Sequence, residues 1–166
     1  VIGELRGLGY DDILVVDGYS SDSTREIAEK AGARVVRQHG VGKTGALRTA
    51  IDFVDKPWML IIDGDFSYDP SGIELMLAHA SCYDEVIGAR RAGREYIGSA
   101  NRFGNWAIGW LFKLLFGGAL TDVCSGMYLL RSHIARGLDL TTRGFDVEVD
   151  VASQVASNGK ITEVPI

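Results

Sequence analysis

Short, continuous apolar runs that each stop at a charged residue govern how this chain can fold. Ile13-Leu-Val-Val16 stops at Asp17, Trp58-Met-Leu-Ile-Ile62 at Asp63, and Glu85-Val-Ile-Gly-Ala89 at Arg90. Runs that do not alternate with polar residues belong to strands covered on both faces, as in a parallel sheet flanked by helices. The segments between them carry helical signals, so the pattern predicts an α/β chain with a mostly parallel, Rossmann-like sheet of about six strands between helices.

The expected elements are a helix near 2–8, a strand at 13–17, a helix capped by Ser21 or Asp22 and closed by Gly32, and a strand at 34–37. Glu26 is placed to complete a capping box on that helix. A helix over 43–54, a strand at 58–63, a helix opened by Asp69-Pro70 and running to about Ala80, and a strand at 85–89 follow. A long helix over 99–116, a strand at 127–130, a short helix, a helix near 146–157 and a strand at 160–165 end the order. In the long helix Phe103, Trp106, Trp110 and Leu114 recur every three or four residues and predict a core-facing stripe. Phe112 and Phe116 lie opposite and leave open a second, lipid-facing or acceptor-facing surface.

With 166 residues, the chain is expected to form one domain with an ordinary core. Its formal charge of −5 argues against general nucleic-acid binding, which needs a basic face. Cys82 and Cys124 lack metal-ligand spacing, as do His39, His79 and His133, so no zinc site is expected and a reducing compartment suits the thiols. The apolar stretch 106–120 is shorter than the ~20 residues of a membrane span, and no span or signal peptide is expected.

Chemistry enters at the strand ends. Asp63 and Asp65, separated by Gly64, project the same way from a strand terminus and can reach one hard cation such as Mg²⁺ or Mn²⁺. An ordinary acidic turn is the alternative, and the second acidic strand end at Asp17 weighs against it. Gly42-Lys43-Thr44 lacks the upstream glycine of a P-loop, since Arg37 stands there, so ATP binding by that route is rejected. The same segment places backbone N–H groups at a helix start, which suits an anion or serves simply as a helix cap. Arg90, Arg91, Arg94 and Arg102 form a basic segment that is either a solvated face or, at the carboxyl end of the sheet with Asp17, Asp63 and Asp65, a phosphate site.

Taken in order, these segments resemble family 2 glycosyltransferases of the GT-A fold, and more narrowly the dolichyl-phosphate mannose and glucose synthases. The likeness covers essentially the whole chain. It is carried by Asp17-Gly18-x-Ser20-x-Asp22-x-Thr24, Gly42-Lys43-x-Gly45-Ala46-Leu47-Arg48, Asp63-Gly64-Asp65 with Ser67-x-Asp69-Pro70, Gly88-Ala89-Arg90, Asn101-Arg102 through Asn105, Thr121-Asp122-x-x-Ser125-Gly126, Phe145-Asp146-Val147-Glu148 and Glu163-Val164-Pro165-Ile166.

The resemblance implies a metal-dependent, inverting hexosyltransferase. It would move a hexose from GDP-mannose or UDP-glucose to dolichyl or another polyprenyl phosphate, at the cytoplasmic face of a membrane and with peripheral membrane contact. Asp17, Gly18, Asp22, Lys43, Asp63 and Gly64 would meet the nucleotide, Asp63 and Asp65 the metal and diphosphate, and Arg90, Arg102 and Asn105 the acceptor phosphate. Asp65, Asp122 and Glu148 would form the catalytic group, with Asp122 or Glu148 as general base if the acceptor is a hydroxyl. Members of the family begin with a strand ending in Pro-x-Tyr-Asn-Glu and continue past the closing Glu-Val-Pro-Ile. This chain starts in the helix after that strand, so a truncated domain with an unpaired sheet neighbour is expected, and a nucleotide-binding domain without transferase activity is the alternative. Donor base, sugar, metal and oligomeric state are left open by the residues.

Overall fold

The computed structural model describes residues 1–90, 99–117, 120–141 and 147–166, without the side chains of 99–103, 105 and 106. The expectations placed on Arg91, Arg94, Arg102, Phe103, Asn105, Trp106, Phe145 and Asp146 therefore lie outside the described residues. The α/β class holds, and the chain folds as two compact units, residues 1–55 with 139–147 and residues 56–138 with 148–166.

The first unit contains α1 (Ile2–Gly7), β1 (Leu14–Asp17), α2 (Thr24–Lys30), β2 (Arg34–Arg37) and α3 (Gly42–Phe53). β1 and β2 pair in parallel, Leu14 opposite Arg34 and Asp17 opposite Arg37. α2 starts at Thr24 rather than at the expected Ser21 or Asp22 cap. Ser23 occupies the N-cap position without a side-chain cap bond, because Asp22 Oδ1 already accepts from the Thr24 amide and hydroxyl. α3 is pinned to the loop before it. Buried Thr49 donates its hydroxyl to the Gly45 carbonyl at 2.8 Å and accepts the His39 N–H at 2.6 Å.

The second unit is built on four strands, β3 (Trp58–Ile62), β4 (Glu85–Ala89), β5 (Met127–Arg131) and β6 (Ile161–Pro165), in the order β3-β5-β4-β6. Its helices are α4 (Ile73–His79), led by a 3₁₀ turn at Pro70–Gly72, α5 (Ser99–Phe116), α6 (Ser132–Ala135) and α7 (Val147–Asn158). β3, β4 and β6 run the same way, in keeping with the mostly parallel sheet that the apolar runs predict, and β5 runs antiparallel to its neighbours β3 and β4. The physical reason lies in its approach: residues 121–126 sit beside the carboxyl ends of β3 and β4, and β5 enters the sheet from there. Among the described residues, β3 has a hydrogen-bonded neighbour on one side only. Met76, Val86, Ile87, Met127, Leu130, Val151 and Val155 are almost wholly buried and form the core of this unit.

α5 presents a face other than the expected one. Trp110 and Leu114 are 59% and 66% exposed, whereas Phe112 is 3% exposed. A β-carbon on Gly109 would lie 3.4 Å from the Leu120 carbonyl oxygen, so the helix backbone approaches residues 120–121 closely at that point. Phe112, one turn on, shares that buried side.

Candidate active site

In the second unit, three strands run one way and β5 the other, so the carboxyl ends of β3, β4 and β6 share an edge with the start of β5. Asp63 leaves β3 with its N–H donating to the Gly126 carbonyl at 3.1 Å. A β-carbon on Gly126 would stand 2.0 Å from Asp63 Oδ2 and 2.6 Å from its carboxyl carbon, so the carboxylate rests in space that only glycine leaves empty. The Gly126 N–H donates in turn to the Tyr68 hydroxyl at 2.6 Å. Tyr68 is buried, which pushes its phenol above the ordinary value.

Asp65 lies two residues on, and its Oδ1 accepts the Ser67 N–H at 3.0 Å, turning the chain back. Between them Gly64 has no neighbour that would meet a β-carbon, and Phe66 adopts a left-handed φ of 65° with its ring 71% exposed. Asp69 then accepts from the Ser71 N–H at 3.0 Å, with Pro70 at the first position of the 3₁₀ turn.

Arg90 follows β4 directly. Its backbone N–H and Nε donate to Asp122 Oδ2 at 3.1 and 2.7 Å, and its Nη2 donates to Oδ1 at 2.7 Å. This bidentate pair is mostly buried and lifts the guanidinium above its ordinary value. The sequence assigns Arg90 to an acceptor phosphate and Asp122 to catalysis as separate roles; the structure joins the two side chains. Nη1 and one N–H of Nη2 are not used by Asp122. The Arg90 guanidinium also lies 5.8 Å from the centre of the Tyr68 ring.

Ser125, fully buried, donates its hydroxyl to the Gly88 carbonyl at 2.6 Å, tying the 121–126 segment to β4. Glu148 sits in the first turn of α7 and is buried. Burial pushes the Cys124 thiol up, and the charges of Asp122 and Glu148 push it further, with Arg90 acting against them. The Tyr128 hydroxyl, wholly buried, is pushed up by burial and then by Glu148, Glu85 and Asp63. The structure therefore gathers Asp63, Arg90, Asp122 and Glu148 around the end of one sheet.

In the first unit, Asp17 closes β1 and is 3% exposed. Its Oδ1 accepts the Ser20 N–H at 3.2 Å, and hydrogen bonding to Ser20 holds its carboxyl below the usual value. Oδ2 is buried and accepts no hydrogen bond among the described residues. Gly18 packs on Gln38, whose side chain donates to the Gly40 carbonyl at 3.3 Å. Asp22 is held low by hydrogen bonds from Thr24. Lys43 lies in the first turn of α3, where Gly42 has a left-handed φ of 67°.

Among the described residues, no three His, Cys, Asp or Glu side chains stand close enough to hold a metal by themselves. Asp63 and Asp65 are nevertheless hard oxygen donors of the type that Mg²⁺ or Mn²⁺ takes in ones and twos alongside substrate phosphates. Sequence reasoning assigned no role to Tyr68, Gly126 or Glu163. The last accepts from the Thr121 N–H, the Thr121 hydroxyl and the Asp122 N–H at 2.6, 2.7 and 3.2 Å.

The fold is that of GT-A glycosyltransferase domains. Residues 6–134 match the Glycosyl transferase family 2 domain, and the chain belongs to that family. It is 38% identical to "Glycosyltransferase AglJ" of Haloferax volcanii over 99% of this chain, spanning 56% of that relative's length. It is 32% identical to a "Dolichyl-phosphate hexose transferase" of the same organism, over 95% of this chain and 70% of the relative. Glucosyl-3-phosphoglycerate synthase of Mycobacterium tuberculosis, solved with Mn²⁺, UDP and phosphoglyceric acid, shares the fold with a TM-score of 0.76 at 22% identity, over 93% of this chain and 57% of that one.

Proposed function

We propose that this chain carries the site of an inverting hexosyltransferase that uses a nucleotide diphosphate sugar, GDP-mannose or UDP-glucose, and a polyprenyl phosphate acceptor. The observation that carries the reading is the Asp63 carboxylate seated against Gly126 beside the Arg90–Asp122 pair. Relatives named as dolichyl-phosphate hexose and undecaprenyl-phosphate mannose transferases support the acceptor class.

In this reading Asp63 and Asp65 would hold the Mg²⁺ or Mn²⁺ that accompanies the donor diphosphate. When bound, such a cation offsets the charge that grows on the leaving diphosphate. Gly64 leaves room for the diphosphate to approach. The same reading assigns Asp17, whose Oδ2 accepts no hydrogen bond among the described residues, to the base or ribose, and Gly18, Asp22 and Lys43 to the nucleotide. Arg90 presents its remaining N–H groups to the acceptor phosphate, with Arg102 and Asn105 assigned to the same phosphate by sequence. An acceptor oxygen attacks the anomeric carbon as the bond to the diphosphate breaks, and the bonding electron pair leaves with the diphosphate.

A phosphate acceptor is already anionic and needs no strong base, whereas a hydroxyl acceptor must lose a proton, and Glu148 or Asp122 would take it. Glu148→Gln is therefore expected to be mild on polyprenyl phosphate; loss of more than about a hundredfold in kcat on that acceptor would favour a hydroxyl acceptor. Nucleotide binding without sugar transfer to either acceptor would instead identify a binding domain without transferase activity.

Among the described residues no helix is long and apolar enough to cross a membrane. We assign peripheral contact with the cytoplasmic face of a membrane to α5, where Ile108, Trp110, Leu111, Leu114 and Leu115 are exposed along one continuous arc.

A further inference from the structure

We propose that Glu163 is a positioning residue for the acceptor side of the site, acting through Thr121 and Asp122 on Arg90. Glu163 lies in β6, directly opposite Ile87 of β4, and its carboxylate reaches across to the segment that precedes β5. Oε2 accepts two successive backbone N–H groups, Thr121 at 2.6 Å and Asp122 at 3.2 Å, while Oε1 accepts the Thr121 hydroxyl at 2.7 Å. Successive N–H groups converging on one carboxylate form a small anion nest, which fixes the direction of the peptide plane between them.

That peptide carries the Asp122 side chain. With its backbone held by Glu163 and its carbonyl accepting the Ser125 N–H at 3.0 Å, Asp122 has little freedom, and its two oxygens meet Nε and Nη2 of Arg90 at 2.7 Å each. A planar guanidinium gripped bidentately on one edge has its opposite edge aimed by the grip. Thus a carboxylate on β6 sets the direction in which Arg90 presents the N–H groups that Asp122 does not take. Thr121 is exposed and Glu163 only half-buried, so the three hydrogen bonds serve the geometry of the 121–122 turn more than they serve the core. The proposal rests on the reading that Arg90 meets the acceptor phosphate.

The test is steady-state transfer of labelled hexose to geranylgeranyl phosphate by the wild type, Glu163→Ala, Glu163→Gln, Thr121→Val and Arg90→Ala. Glu163→Ala is expected to raise the acceptor KM about tenfold, as expected when hydrogen bonds to a charged group are lost, with the donor KM unchanged. Glu163→Gln is expected to restore most of it, because the amide oxygen still accepts the two N–H groups and the amide N–H₂ donates to the Thr121 hydroxyl, which turns to accept. Thr121→Val removes one hydrogen bond, keeps both backbone donors, and is expected to raise the same parameter by a smaller factor, which covers the case of a Glu163→Ala protein that does not fold. Unchanged acceptor KM in Glu163→Ala and Thr121→Val, or equal impairment by Ala and Gln, overturns the role of Glu163. An acceptor KM unchanged in Arg90→Ala, or no transfer by the wild type, overturns the acceptor reading and this proposal with it; Arg90→Ala impaired beside an unaffected Glu163→Ala overturns this proposal alone.

Discussion

The Asp63 carboxylate lies where a side chain on Gly126 would be, with Oδ2 only 2.0 Å from the β-carbon that position lacks. The glycine is thus a condition for the Asp63 carboxylate to occupy its place. Gly126→Ala is expected to displace Asp63 and weaken Mn²⁺-dependent nucleotide binding at least about tenfold, the scale of losing one charge-assisted contact. Calorimetry of the variant beside Asp63→Asn checks it, and the two are expected to fall together.

Tyr68 holds the same glycine from the other side, its hydroxyl accepting the Gly126 N–H at 2.6 Å. Tyr68→Phe leaves that buried N–H without its partner, at a cost of about 1–3 kcal/mol. Denaturant unfolding measures the loss.

The Arg90–Asp122 pair is mostly buried, so removing one partner strands the other. Asp122→Ala and Arg90→Ala are each expected to cost ~2 kcal/mol or more, with the double variant costing much less than their sum. A double-mutant cycle in urea gives the coupling directly.

Glu85, at the start of β4, is 1% exposed, its Oε2 makes no hydrogen bond among the described residues, and burial pushes its carboxyl up to about 8. The folded chain therefore holds a proton that the unfolded chain, with an ordinary value of 4.5, gives up earlier. Its contribution to stability is fully present below that ordinary value and is lost as pH rises through about 8. Thermal unfolding from pH 5 to 9 is expected to show a falling Tm across this window, and Glu85→Gln to flatten it.

Much of this was legible in the chain. Each continuous apolar run became a strand within a residue or so of its expected bounds, because burial on both faces leaves little choice of composition. The same property hid the direction of β5: Met127-Tyr128-Leu129-Leu130 is buried throughout and reads alike in either sense. The exposed face of α5 was misread because Gly109, which lets the backbone approach residues 120–121, outweighs the aromatic stripe. Arg90 and Asp122 stood out individually by motif, but not as a pair, since 32 residues separate them. Glu163 reaches Thr121 across 42 residues, and no local pattern announces such a contact.

Calorimetric titration of the protein with GDP and with UDP, with and without Mn²⁺, tests most directly that the acidic end of β3, Asp63-Gly64-Asp65, serves as a nucleotide-sugar donor site. The account predicts binding of one nucleotide that requires Mn²⁺ and disappears in Asp65→Asn. Binding of neither nucleotide, or Mn²⁺-independent binding unaffected by that substitution, would contradict it.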